Sequence, residues 1–115
     1  MKKKSISQRY LKVQYPDSCC PIITVKKCSR RITVLSSGAL VINTKCLSPC
    51  MMGSIVDGMI TYPNGDKEKI RGYVIFIKGK SIVLKLFDSI SFQRINDQIQ
   101  WLRRNYPRFD PRMKT

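Results

Sequence analysis

The sequence predicts a mainly β chain: a small antiparallel barrel of six or seven strands with one C-terminal α-helix. Three observations predict it. Short β-branched runs recur between turn residues from Tyr10 to Phe87. Pro63-Asn64-Gly65-Asp66 separates two extended segments, as the turn of a hairpin does. Phe92, Ile95, Ile99, Leu102 and Tyr106 then recur at spacings of three, four, three and four, which puts them on one stripe of a helix.

In chain order, residues 1–9 are polar and lysine-rich without apolar periodicity and read as a flexible basic arm. A single domain follows over 10–106, and 107–115 form a basic tail that is expected to fray. Tyr10 to Tyr15 alternates until Pro16-Asp17 stops it, a first strand. Pro21 to Val25 is β-branched almost throughout and reads as a second strand, running into a basic loop from Lys26 to Arg31. Ile32 to Leu35 and Ala39 to Ile42 flank Ser36-Ser37-Gly38, where the glycine is expected to supply the positive φ of a tight reversal. Asn43 to Gly53 reads as a loop, and Ser54 to Tyr62 returns to extended chain. Strands at Lys69 to Lys78 and Ser81 to Phe87 are separated only by Gly79-Lys80. Ile82, Leu84 and Leu86 share the face expected to be buried. Ser91 or Ser89 is placed to cap the helix, and Pro107 ends it.

Lys and Arg number 22 against 7 Asp and Glu in 115 residues, a net charge of +15. Such a field attracts anions, whether nucleic acid, a phosphorylated ligand, an acidic protein or an anionic membrane. Residues 1–31 hold nine of the cations against the single acid Asp17, so the N-terminal part is the expected binding end. Catalysis is not expected. The chain has no histidine, no glycine-rich phosphate loop, and no base for a cysteine nucleophile. Asp66 and Glu68 are the only acids close in sequence, and solubility beside a hairpin accounts for them. No apolar run approaches the roughly 20 residues that cross a bilayer, and Met1-Lys2-Lys3-Lys4 is not followed by a signal-like stretch, so a cytoplasmic protein is expected. The five cysteines read as free thiols. The alternative, zinc held by Cys46-x3-Cys50 and the Cys19 to Cys28 region, matches no standard spacing, and no metal or cofactor is expected.

Thr33-Val34-Leu35-Ser36-Ser37-Gly38, followed by Ala39-Leu40-Val41, resembles the PilZ domain family, whose Asp-x-Ser-x-x-Gly turn stands at this place. Only the glycine is kept. The family's upstream Arg-x-x-x-Arg pair falls on Ser5-Ile6-Ser7-Gln8-Arg9, where Arg9 alone remains. The resemblance runs from about Arg9 to Tyr106 and rests on element order more than on identity. It implies a PilZ-like barrel with a C-terminal helix, and a non-enzymatic signalling module in bacterial cyclic di-GMP pathways that control motility, pili or biofilms. The ligand residues it implies are Arg9, Thr33, Ser36 and Gly38, with Lys4, Lys26, Lys27, Arg30 and Arg31 as replacement cations for phosphate. Either cyclic di-GMP binds atypically, as a regulatory ligand, or ligand binding is lost and the barrel is an adaptor for a protein partner. Trp101, beside the helix stripe, is the candidate partner anchor, with an edge-of-core contact as its plainer reading. An alternative from another class is a small basic β-barrel that binds RNA or DNA, with Tyr10, Tyr15, Tyr62, Tyr73 and Phe76 as a stacking surface. Alternating aromatics are more often core.

Overall fold

In the computed structural model, which describes residues 12–43 and 52–111, β1 (Lys12–Gln14), β2 (Ile22–Val25), β3 (Cys28–Ser36) and β4 (Ala39–Asn43) come first. They are followed by β5 (Ile55–Thr61), β6 (Lys67–Lys78), β7 (Ser81–Leu86) and the helix α1 (Phe92–Asn105). The sheet order is β1-β3-β2-β5-β6-β7-β4, all pairs antiparallel, and β4 returns to β3. That last pairing closes six strands into an antiparallel barrel of the predicted class and leaves β1 as an extra strand. Tyr10 and Leu11 of the expected first strand lie outside the described residues.

One edge of β3 serves two partners: β2 pairs with Cys28 to Arg31, and β1 with Val34 to Ser36. Amide-to-carbonyl bonds from Ile32 to Pro21 (2.9 Å) and from Tyr15 to Thr33 (3.1 Å) carry the ladder across the gap. Ile32 and Leu35 are both fully buried although an odd spacing should put them on opposite faces. A bulge between Ile32 and Val34 resolves this, with Thr33 as the extra residue, so that Ile32 faces Ile42 and Leu35 faces Leu40 inside. β6 and β7 approach so closely that a Cβ on Gly72 would overlap the Lys85 carbonyl.

Three expectations are corrected. The basic loop is β-strand from Cys28 onward, and the reversal is confined to Lys26-Lys27, with Lys26 at φ 56°. Ladder hydrogen bonds need no apolar side chain, so Ser29-Arg30-Arg31 extend without one. Gly38 does not take the left-handed region, which among the glycines belongs to Gly53, Gly65 and Gly79. The Ser36 hydroxyl holds that turn instead, accepting from the Ala39 amide at 3.2 Å and donating to the Ala39 carbonyl at 2.9 Å. The tail does not fray over its described part: Phe109 donates to the Tyr106 carbonyl, Pro111 is buried, and the Gln14 amide donates to the Pro111 carbonyl at 2.6 Å.

Ser91 caps α1, accepting from the Arg94 amide at 3.1 Å, and Arg103 and Arg104 in the last turn suit the helix dipole. The buried face is Ile95, Gln98, Ile99 and Leu102. The stripe is therefore rotated from the predicted one: Phe92 is 43% exposed and Tyr106 half-buried. Gln98 lies in the core with its Oε1 accepting from the Tyr15 hydroxyl at 2.7 Å, while its Nε2 is buried without a partner. Among the described residues no helix is long and apolar enough to cross a membrane.

Candidate functional site

The antiparallel order sends successive hairpins to alternate ends of the barrel. The β3–β4 and β5–β6 turns lie at one end, and the Lys26-Lys27 and Gly79-Lys80 turns at the other. The first end is held by α1. Arg94 reaches Asp66 at 2.6 Å and Glu68 at 3.4 Å, and its guanidinium lies 4.8 Å from the Tyr62 ring centre. Tyr62 in turn donates to Glu68 at 2.8 Å. Asp66 and Glu68 are thus fastenings for the helix rather than solubilising charges, a role invisible without the contact to Arg94.

The other end holds the candidate site, and the ladder explains its side chains. Residues directly opposite on antiparallel strands share a face. Arg30 faces Ile23, which is fully buried, so Arg30 points toward the barrel interior at its rim. Arg31 faces Ile22 on one side and Asn43 on the other, outside. Between them opens a groove of about 470 Å³ lined by Ile22, Lys27, Cys28, Ser29, Arg30, Arg31 and Asn43. That volume lies within the ordinary range of small-ligand sites. The only hydrogen bond described for the three cations runs from Arg31 Nη1 to the Asp17 carbonyl, at 3.3 Å. Ion pairs among the described residues join Arg71 to Asp57 and Arg94 to Asp66 and Glu68, and none of these involves Lys27, Arg30 or Arg31. Arg30 Nε and Asn43 Oδ1 are both buried without a partner. A buried polar atom left unpaired is costly, so two of them in one groove mark where hydrogen bonds remain to be made.

The residues singled out from sequence do not all converge here. Arg30 and Arg31 line the groove. Ser36 is six residues further along β3, roughly 20 Å away at strand rise, with Gly38 beyond it and Thr33 at the bulge between. Thr33 Oγ1 donates to the Val41 carbonyl at 3.3 Å, and Ser36 is engaged within its own turn. Nothing lies within 4 Å of a Cβ placed on Gly38, while its carbonyl accepts from the Leu86 amide at 2.9 Å. Leu35, aligned with the serine of the family turn, is fully buried. Arg9 lies outside the described residues. Trp101 is half-buried against the core, its ring 6.3 Å from that of Tyr106.

Of the proposed stacking aromatics, Tyr15 and Tyr62 are core residues, and burial pushes both hydroxyl pKa values far above the ordinary tyrosine range. Tyr73 is half-buried against Phe87, and Phe76 is exposed. Tyr10 lies outside the described residues. Cys28 is exposed in the groove, and burial raises the pKa of the Cys20 thiol, which donates to the Pro16 carbonyl at 3.3 Å. Among the described residues no three His, Cys, Asp or Glu side chains group as a metal site; Cys46 and Cys50 lie outside them. Sequence reasoning missed Asn43, a polar residue ending an aliphatic strand with no motif around it.

Comparison with protein-family models, curated proteins and solved structures finds no match. What fold and groove define is a class: a small closed β-barrel, fastened by a helix at one end and presenting a cation-lined groove at the other.

Proposed function

We propose that the chain is a PilZ-like, non-enzymatic receptor module of the bacterial cytoplasm that takes a phosphorylated ligand of the cyclic di-GMP class in the groove of Lys27, Arg30, Arg31 and Asn43. The observation that carries the reading is the pairing of unmet polar atoms with unneutralised cations in one groove. Guanidinium groups donate in a fork that matches phosphate oxygens, and an asparagine amide offers both a donor and an acceptor to a base edge. Ligand recognition of this kind is atypical for the family turn, because the hydroxyls of Thr33 and Ser36 are already used by the fold. The same fact, together with the burial of Leu35, favours the second form of the reading, in which ligand binding is lost and the barrel is an adaptor for a protein of a motility, pilus or biofilm system.

Isothermal titration with cyclic di-GMP at physiological salt, with cyclic di-AMP and a short RNA as controls, separates these. The expected result is saturable binding of the guanine dinucleotide, abolished by Arg30→Ala and Asn43→Ala and kept by Ser36→Ala. Silence with both dinucleotides leaves the adaptor form. Equal, salt-sensitive binding of all three points instead to a nucleic-acid-binding barrel.

A further inference from the structure

The β6–β7 hairpin ends on the groove side of the barrel with three successive apolar side chains at the surface: Ile75, Phe76 and Ile77 are 39, 51 and 37% exposed. Strict alternation would hide at least one of them. The bulge between Val74 and Phe76 breaks the alternation, and the hairpin reaches the rim beyond the packed core. Met52 and Ile55, 60 and 51% exposed, stand beside it. Bonds from the Gly53 amide to the Val74 carbonyl (2.7 Å) and from the Val74 amide to the Ser54 carbonyl (3.0 Å) hold their segment along β6. Five large apolar side chains exposed at one end exceed the scatter of single hydrophobes on an ordinary surface.

The charges at the tip itself are basic, Lys78 and Lys80 flanking the turn, while Asp57, two residues along β5 from Ile55, is ion-paired with Arg71 at 3.3 Å. Ser81, the first residue after the hairpin turn, pairs with Asn43, and Asn43 with Arg31, so the groove and its cations adjoin the same rim. An apolar tip is thus set among cations.

We propose that this end of the barrel docks on an anionic lipid bilayer, with Ile75, Phe76 and Ile77 entering the boundary of headgroups and acyl chains and Lys78 and Lys80 resting on lipid phosphates. Consecutive strand residues point to opposite faces of a hairpin. A protein partner laid against one face leaves the other in water, whereas a fluid interface surrounds the tip and buries both. The lysines suit it, since their stems lie along apolar surface while the ammonium groups stay at the phosphate level.

A chain of this charge adheres to any anionic surface, so the deciding readout is insertion. Full-length protein carrying Trp101→Phe and Phe76→Trp is mixed with vesicles of phosphatidylglycerol and phosphatidylcholine, or of phosphatidylcholine alone, without nucleotide. The expected result is a blue-shifted indole emission on the anionic vesicles only, quenched by lipids brominated in the acyl chain. In the chain that keeps Trp101, Ile75→Ser with Phe76→Ser weakens vesicle co-sedimentation by roughly tenfold or more, with circular dichroism unchanged. Unshifted emission on bound vesicles, or serine variants that bind as before, overturns the proposal in favour of surface adhesion by charge. Protein left in solution with both vesicle types overturns it as well and gives the rim to a protein partner. Because no nucleotide is present, failure here is separate from failure of the ligand reading.

Discussion

The two ends of this barrel are made differently. At the helix end most polar groups are matched: Tyr15 with Gln98, Tyr62 with Glu68, Arg94 with two carboxylates, and the Ser37 and Gly38 carbonyls with the Ile90 and Leu86 amides, with Gln98 Nε2 left buried without a partner. At the hairpin end two orphaned polar atoms share one groove, cations stand without carboxylates, and five large apolar side chains face water, against Phe87 and Phe92 at the helix end. Polar pairing is therefore uneven along the barrel axis. The better-matched end holds the helix against the barrel, and the groove end keeps polar atoms and cations that the fold itself does not use.

This contrast can be broken by substitution. The largest effect is expected at the helix end, where Leu102→Ala removes a fully buried side chain and should lower the unfolding free energy by about 2–5 kcal/mol in urea denaturation. Tyr15→Phe leaves Gln98 without its hydroxyl donor and should cost about 1–3 kcal/mol. The two core tyrosines also set an alkaline limit. Their folded pKa values are raised above the ordinary 10.0, chiefly by burial. The unfolded chain then loses these protons first, so their contribution is full below pH 10 and declines as pH rises beyond it. Urea midpoints at pH 8 and 11 should diverge, and less so in Tyr15→Phe. Arg94→Met, which opens a partly exposed ion-pair network, should cost about 1 kcal/mol, with the loss shrinking at high salt. The smallest effect belongs to the other end: Arg30→Met removes an unpartnered nitrogen and should change stability by no more than about 0.5 kcal/mol either way. If it instead destabilised as much as Leu102→Ala, the division between the ends would fail.

What could be read from sequence was mostly local. The Pro63–Asp66 hairpin announces itself because Gly65 must take φ 98°, and α1 because its apolar period and Ser91 cap lie within one short stretch. The β2–β3 reversal does not, since Lys26 takes a left-handed conformation with a side chain that carries no turn signature. Arg30 and Arg31 were legible as cations, but their separation from Ser36 and Gly38 follows from their lying on one continuous strand, which the expected loop concealed. Asn43 joins the groove only through its ladder position opposite Arg31. Arg94 and Asp66 meet across 28 residues of sequence, a distance no motif spans. Gln98 reads as surface until Tyr15 is brought to it.

The hydrogen bond between Gln14 and Pro111 also makes the described chain nearly circular. A short linker between those neighbouring ends would leave every ladder in place, and fresh termini could be opened at Lys26-Lys27 or at Gly79-Lys80. Permutation at the first site would interrupt the cationic groove and spare the apolar hairpin, and permutation at the second would do the reverse. The two surfaces of the unmatched end can thus be cut apart by rearranging the order of the chain, without changing a single side chain.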